Sequence, residues 1–101
     1  MNLKSKIMKE FEEEIKNTVK FVELVLIPEL EIGFGNEIIT NPFSGVKCTL
    51  SPTQVALYDY IKGAETCFNL GLVESDVLPI LSMAKDYFYL KWPREYRLLI
   101  D

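Results

Sequence analysis

Residues 41–65 read NPFSGVKCTLSPTQVALYDYIKGAE: a turn, a short alternating segment, a helix cap and an amphipathic helix in direct succession. In Asn41-Pro42-Phe43-Ser44-Gly45 the asparagine offers a side-chain acceptor to nearby amides, the proline a fixed φ and the glycine a free one. This turn joins β-branched Ile38-Ile39-Thr40 to a segment where Val46, Cys48 and Leu50 alternate with Lys47 and Thr49, which predicts a β-hairpin. Two strands alone are marginal in water, so the ribbon must lie on helices. Ser51 can cap the next helix, Pro52 suits its first position, and Gln54 stands where a capping box places Glu or Gln.

That helix is expected over residues 52–70, with Leu57, Ile61, Ala64 and Phe68 inward, Tyr58 and Val55 at the edge, and Gly71 as a left-handed stop before apolar Leu72. Gly63 lies inside it at a cost of roughly 1 kcal/mol relative to alanine. A close helix crossing is the expected compensation, with a ligand contact as the alternative.

Upstream, Leu3, Ile7, Phe11, Ile15, Val19, Val22 and Leu26 recur at steps of four and three, widened by Met8, and predict a long first helix over residues 2–27 that Pro28 ends. About 25 residues at 1.5 Å each make about 38 Å, more than a three-helix core of this size covers, so a homo-oligomer through this helix is expected. Beyond Pro28, Leu30, Ile32 and Phe34 alternate with Glu29, Glu31 and Gly33 and suggest a further short strand. Downstream, Ser75 or Asp76 can cap a third helix ending near Trp92, with Val77, Leu81, Ala84 and Phe88 inward beside Ile80 and Tyr87. Pro93 breaks it and opens a last turn. The expected fold is one mainly α domain: three principal helices (1–27, 52–70, 76–92), a short C-terminal helix (94–100), and a small β-hairpin within 29–50 between the first two.

A chain of 101 residues, 49% apolar and 26% charged, supports one core. Its apolar runs, among them Leu24–Ile27 and Leu98–Ile100, are no longer than four residues, far short of the roughly 20 of a membrane span. Lys4, Lys6 and Lys9 precede glutamates instead of an apolar signal core, so a cytoplasmic location is expected. Within the net charge of −4, the acidity is concentrated in residues 21–76, where eight acids meet only Lys47 and Lys62. That balance argues against general phosphate-backbone binding and suits docking on a basic partner.

The chain has no histidine, and Cys48 and Cys67 form no CxxC pattern, so neither metal nor other cofactor is expected. The plain reading of the cysteines is two reduced, mostly buried thiols, with a disulfide or a reactive thiol as alternatives. Without histidine the usual serine triads and thiol proteases lose their base. Glu10, Glu12, Glu13 and Glu14 read as a solvated face, because acid–base work needs a carboxyl tuned by burial or a close partner. Gly33-Phe34-Gly35 lacks the rest of a phosphate loop. Asp59, between Tyr58 and Tyr60, is read as a structural hydrogen bond or simple exposure, with recognition or catalysis as the alternative. The C-terminal run KDYFYLKWPREYR interleaves Lys85, Lys91, Arg94 and Arg97 with Tyr87, Tyr89, Trp92 and Tyr96, a composition found in protein hot spots and base-stacking surfaces. Asp86 and Glu95 halve its charge, which favours core packing or a protein contact over nucleic acid.

The strings NPFSG, LSPTQVALYDYIKGAE and YFYLKWPREYRLLID resemble a family of small uncharacterised bacteriophage proteins with an NPF-S/T-G turn, an ALYDYI-like helix and a P…Y…LL-D end. The likeness runs from Asn41 to Asp101. It implies a phage gene acting in the bacterial cytoplasm, packing of the Pro52 helix against the PREYRLLID end, and no catalytic residues. The expected function is a non-enzymatic accessory protein, of the host-takeover or anti-defence kind, that binds a host or defence-system protein through its acidic middle or its aromatic C-terminal surface. Its interaction residues are expected among Asp59, Tyr60, Tyr89, Lys91, Trp92, Arg94, Tyr96 and Arg97. A nucleic-acid-associated protein using Lys91, Trp92, Arg94 and Arg97, and a small enzyme around Asp59, stand as alternatives.

Overall fold

The computed structural model describes residues 3–101; the expected helix start at residue 2, and the side chains of Leu3 and Ile7 in the expected stripe, lie outside the described residues. Helix α1 (Leu3–Phe21) runs into a π-helical turn (Val22–Leu26) and then the single turn α2 (Ile27–Glu29). The helix therefore passes Pro28 and does not stop there. Proline cannot donate to the preceding turn and its ring crowds a carbonyl there. A widened turn, marked by Ile27 N–H donating to the Val22 carbonyl, makes room for it. The chain becomes extended only at Leu30, at φ −89° and ψ 147°.

Residues 30–36 are irregular, so the alternating Leu30–Phe34 segment is not a strand. It lies between Pro28 and Gly35 without a pairing partner, and Phe34 points fully into solvent. The hairpin forms from β1 (Glu37–Thr40) and β2 (Lys47–Leu50), antiparallel, with Ile39 opposite Cys48. Asn41 organises its turn: Oδ1 accepts from the Phe43 and Ser44 amides at 2.8 and 3.2 Å, while Nδ2 donates to the Leu98 carbonyl at 2.8 Å. Gly45 takes the left-handed conformation the turn requires, at φ 77°.

Helix α3 (Pro52–Asn69) begins with the full capping box: Ser51 Oγ accepts from the Gln54 amide at 3.4 Å, and Gln54 Oε1 accepts from the Ser51 amide at 2.7 Å. It ends in a Schellman motif, with Gly71 at φ 73°, its amide donating to the Phe68 carbonyl and that of Leu72 to the Cys67 carbonyl. Gly63 marks no helix crossing: it is exposed, and an added Cβ would meet nothing within 4 Å. Helix α4 (Val77–Lys91) follows a turn in which Val77 and Leu78 donate to the Glu74 and Ser75 carbonyls, and the Asp76 side chain makes no capping bond. Trp92, with φ −139° and ψ 69°, breaks the helix before α5 (Pro93–Leu99).

Val22, Leu26, Leu57, Ile61, Ala64, Leu81, Ala84, Tyr87 and Phe88 form the main core where the π turn, α3 and α4 meet. Each large apolar side chain buried there contributes about 1.5–3 kcal/mol of transfer free energy. A second cluster of Cys48, Leu50 and Leu99, flanked by Val55 and Tyr58, seats the hairpin against α3 and α5. The C-terminal end and the Pro52 helix thus share a core. Both cysteines are free, Cys48 buried and Cys67 half-buried.

Candidate interaction surface

The aromatic run of residues 87–97 divides between core and surface because it spans two helices joined at the Trp92 break. Tyr87 and Phe88 face inward, and Trp92 closes over them edge-on, with ring centroids 5.9 and 5.0 Å away. Edge-to-face contacts of this kind add about 0.5–1.5 kcal/mol beyond burial. The Tyr87 hydroxyl donates to Glu23 Oε2 at 2.8 Å and ties α4 to the π turn. Burial, then that hydrogen bond and the nearby carboxylate charge, push the phenol up to about 12. Lys91 Nζ lies 3.9 Å from the same carboxylate and 5.7 Å from the Tyr87 ring centre. Trp92 therefore braces the core, while Lys91 stays exposed beside Glu23.

Tyr89, on the other side of α4, is 44% exposed and packs edge-on against half-buried Tyr96 of α5, with centroids 5.2 Å apart. A mostly apolar groove flanks this pair on one side and a mixed hollow on the other. Toward α1, Phe11, Ile15, Thr18, Tyr89 and Leu90 line a groove of about 450 Å³, with Glu14 and Asp86 also in its wall. Toward α5, Leu78, Leu81, Ser82, Lys85, Asp86 and Tyr96 line a shallower hollow of about 430 Å³. Asp86 belongs to both, so the outer face of α4 combines apolar Leu78, Leu90 and Tyr89 with polar Ser82, Lys85 and Asp86. Arg97 is exposed nearby in sequence on α5, and exposed Arg94 sits 3.7 Å from Glu95.

Asp59 and Tyr60 belong to other surroundings. Asp59 is exposed on α3 beside a hollow of about 150 Å³ that it lines with Glu31, Glu37 and the Gly33 and Gly35 backbone. Tyr60 packs half-buried against the main core, and burial raises its pKa. Burial and the Asp59 charge raise that of Tyr58. Of the residues singled out from sequence, the fold brings together Tyr89 and Tyr96 as a half-exposed pair, packs Trp92 on the core, leaves Lys91 exposed beside Glu23, and sets Asp59 and Tyr60 apart. The sequence reading missed that Phe11, Ile15 and Thr18 line a groove with α4; the stripe was visible, but not the element it would meet.

Among the described residues no group of three or more His, Cys, Asp or Glu gathers in a metal-binding arrangement, and no helix is long and apolar enough to cross a membrane. Compared with known proteins, the chain matches no family model, no curated protein and no solved structure.

Proposed function

We propose that this chain is a non-enzymatic accessory factor that acts by holding another protein on the outer face of α4 and α5. The observation carrying this reading is the Tyr89–Tyr96 pair, held edge-on between two helices beside a mixed hollow in which Leu78 and Leu81 stand with Ser82, Lys85 and Asp86. Tyrosines held in one conformation lose little entropy on binding, and Tyr and Arg dominate the residues that set affinity at protein interfaces. The partner's matching chemistry is an apolar or aromatic anchor for the hollow with a basic group for Asp86. Lys85, Lys91 and Arg94 each sit beside a carboxylate, of Glu65, Glu23 and Glu95 respectively, so much of the run's positive charge is answered within the chain. That supports a protein partner over nucleic acid. The proposed setting is a host or defence-system protein in the bacterial cytoplasm during phage infection, on the strength of the sequence resemblance over residues 41–101.

The test is capture from bacterial lysate on the immobilised full chain, with and without nuclease and at low and high salt, followed by rebinding of the purified captured protein. Tyr89→Ala or Tyr96→Ala should weaken rebinding at least tenfold, about 1.4 kcal/mol, while Asp59→Asn leaves it unchanged. Retention that is lost to nuclease and falls steeply with salt would replace the protein reading by nucleic-acid binding.

A further inference from the structure

The β-hairpin is a sheet of two strands, so among the described residues each strand keeps one edge without a neighbouring strand. Its ladder fixes which groups face those edges. Asn41 N–H donates to the Val46 carbonyl at 2.8 Å, and the register sets Thr40 opposite Lys47, Ile39 opposite Cys48, Ile38 opposite Thr49 and Glu37 opposite Leu50. Hydrogen-bonded and non-hydrogen-bonded pairs alternate in an antiparallel ladder. Counting back from Asn41, Ile39 and Glu37 exchange their bonds with β2, while Ile38 and Thr40 turn N–H and C=O away from it. Among the described residues nothing hydrogen-bonds to these four groups. Ile38 is 68% exposed, and Glu37 and Thr40 are exposed as well.

From this edge we infer that β1 takes an extended basic segment of another protein as a third strand, with Lys or Arg opposite Glu37 and an apolar β-branched residue beside Ile38. The two edges differ. Folded proteins guard open edges with charged side chains, prolines or bulges. At the edge positions of β2 stand Lys47 and Thr49, whereas those of β1 are Ile38 and Thr40, both β-branched and uncharged. An extended segment laid there gains the four free backbone groups as hydrogen-bond partners.

Four backbone bonds make a short ladder, so side chains must choose the occupant. Glu37 lines a hollow with Glu31 of the preceding loop and Asp59 of α3; all three carboxylates are exposed, and no Lys or Arg stands in that wall. A residue opposite Glu37 on an added strand has its Cβ about 4.5–5.5 Å from that of Glu37 and on the same face. A cation there meets Glu37 directly and has Glu31 and Asp59 around the same hollow. A second copy of the chain fits less well, because β1 carries no cation and self-pairing would leave the three carboxylates unanswered. The hollow at Glu37 shares no lining residue with the groove and hollow beside Tyr89 and Tyr96, so this inference and the proposed function can fail separately.

The test titrates the full chain with the synthetic peptide acetyl-TTVVKTK-amide, whose first lysine falls opposite Glu37 when its second valine faces Ile38 antiparallel. Saturable binding below about 1 mM is expected. Two backbone-methylated versions of equal charge read the ladder. Methylation of the second threonine and second valine amides, which face β1, should weaken binding at least tenfold, about 1.4 kcal/mol; methylation of the first valine and first lysine amides, which face away, should not. On peptide addition, hydrogen exchange should slow at the Ile38 and Thr40 amides. Glu37→Lys should lose this peptide and bind the version carrying glutamate in place of both lysines. Thr40→Pro deletes an edge N–H that makes no internal bond, so it should weaken binding with Trp92 emission unchanged. Equal binding by the two methylated peptides, unchanged exchange at Ile38 and Thr40, or no saturation at about 1 mM would each overturn the inference. Exchange at those amides that slows with rising protein concentration, without peptide, would overturn it in favour of a second copy.

Discussion

Replacing Tyr87 by phenylalanine keeps the ring that packs beneath Trp92 and removes the hydroxyl that bonds Glu23. A hydrogen bond to a charged group contributes about 1.5–3 kcal/mol. Glu23 is half exposed and keeps Lys91 beside it, so the expected cost near neutral pH is about 1 kcal/mol. The pH dependence is more diagnostic. The phenol's pKa in the fold is about 12 against an ordinary 10.0, so the folded state holds the proton more tightly than the unfolded chain. Its contribution is therefore complete below pH 10 and is lost as pH rises from about 10 to 12. At ~1.36 kcal/mol per pH unit the full effect is about 2.7 kcal/mol, and with water reaching Glu23 about 1–2 kcal/mol is expected. Urea titrations followed by Trp92 emission at pH 7, 10 and 11.5 measure it. Wild type should lose stability steeply above pH 10, while Tyr87→Phe starts lower and loses less, keeping the residual slope of Tyr58 and Tyr60, whose pKa values are also raised. Equal alkaline slopes in the two proteins, with no cost at pH 7, would refute the assigned hydrogen bond.

Gly63→Ala should stabilise the protein by about 0.5–1 kcal/mol, because the added methyl meets open space on a helix; a loss of stability in thermal denaturation would mean the site is crowded. Ser51→Ala should cost about 0.5–2 kcal/mol in the same assay by removing one half of the capping box. Phe88→Ala, at a fully buried position, should cost about 3–5 kcal/mol and leave little folded protein at 37 °C.

Local chemistry was legible in the sequence wherever it acts within a few residues. The Ser51–Gln54 box, the Gly71 stop and the Asn41–Gly45 turn rest on bonds spanning two to five positions. Leu57, Ile61, Ala64, Leu81, Ala84 and Phe88 lie in the core as their periodicity predicts, while Phe68 and Val77, near the ends of their helices, are only partly covered and lie outside the core clusters. What failed depended on distant or compensating features. Pro28 was expected to end its helix, but a π turn upstream absorbs its bulk. The Leu30–Phe34 alternation had the period of a strand and no partner to pair with. Gly63 invited a close neighbour that tertiary packing does not supply. The candidate surface was half legible: composition singled out the run from Lys85 to Arg97, but which of its aromatics face water depends on the α4–α5 break and on where Glu23 falls, 64 residues from Tyr87 in sequence.

Amide hydrogen exchange on the full chain, alone and with its captured and repurified partner, tests the central claim most directly. Added protection should centre on Leu78–Leu90 and Tyr96–Arg97, with the Glu31–Glu37 loop and the start of α3 unchanged. Protection confined to that loop and Asp59, with the α4 face exchanging as before, would contradict the account.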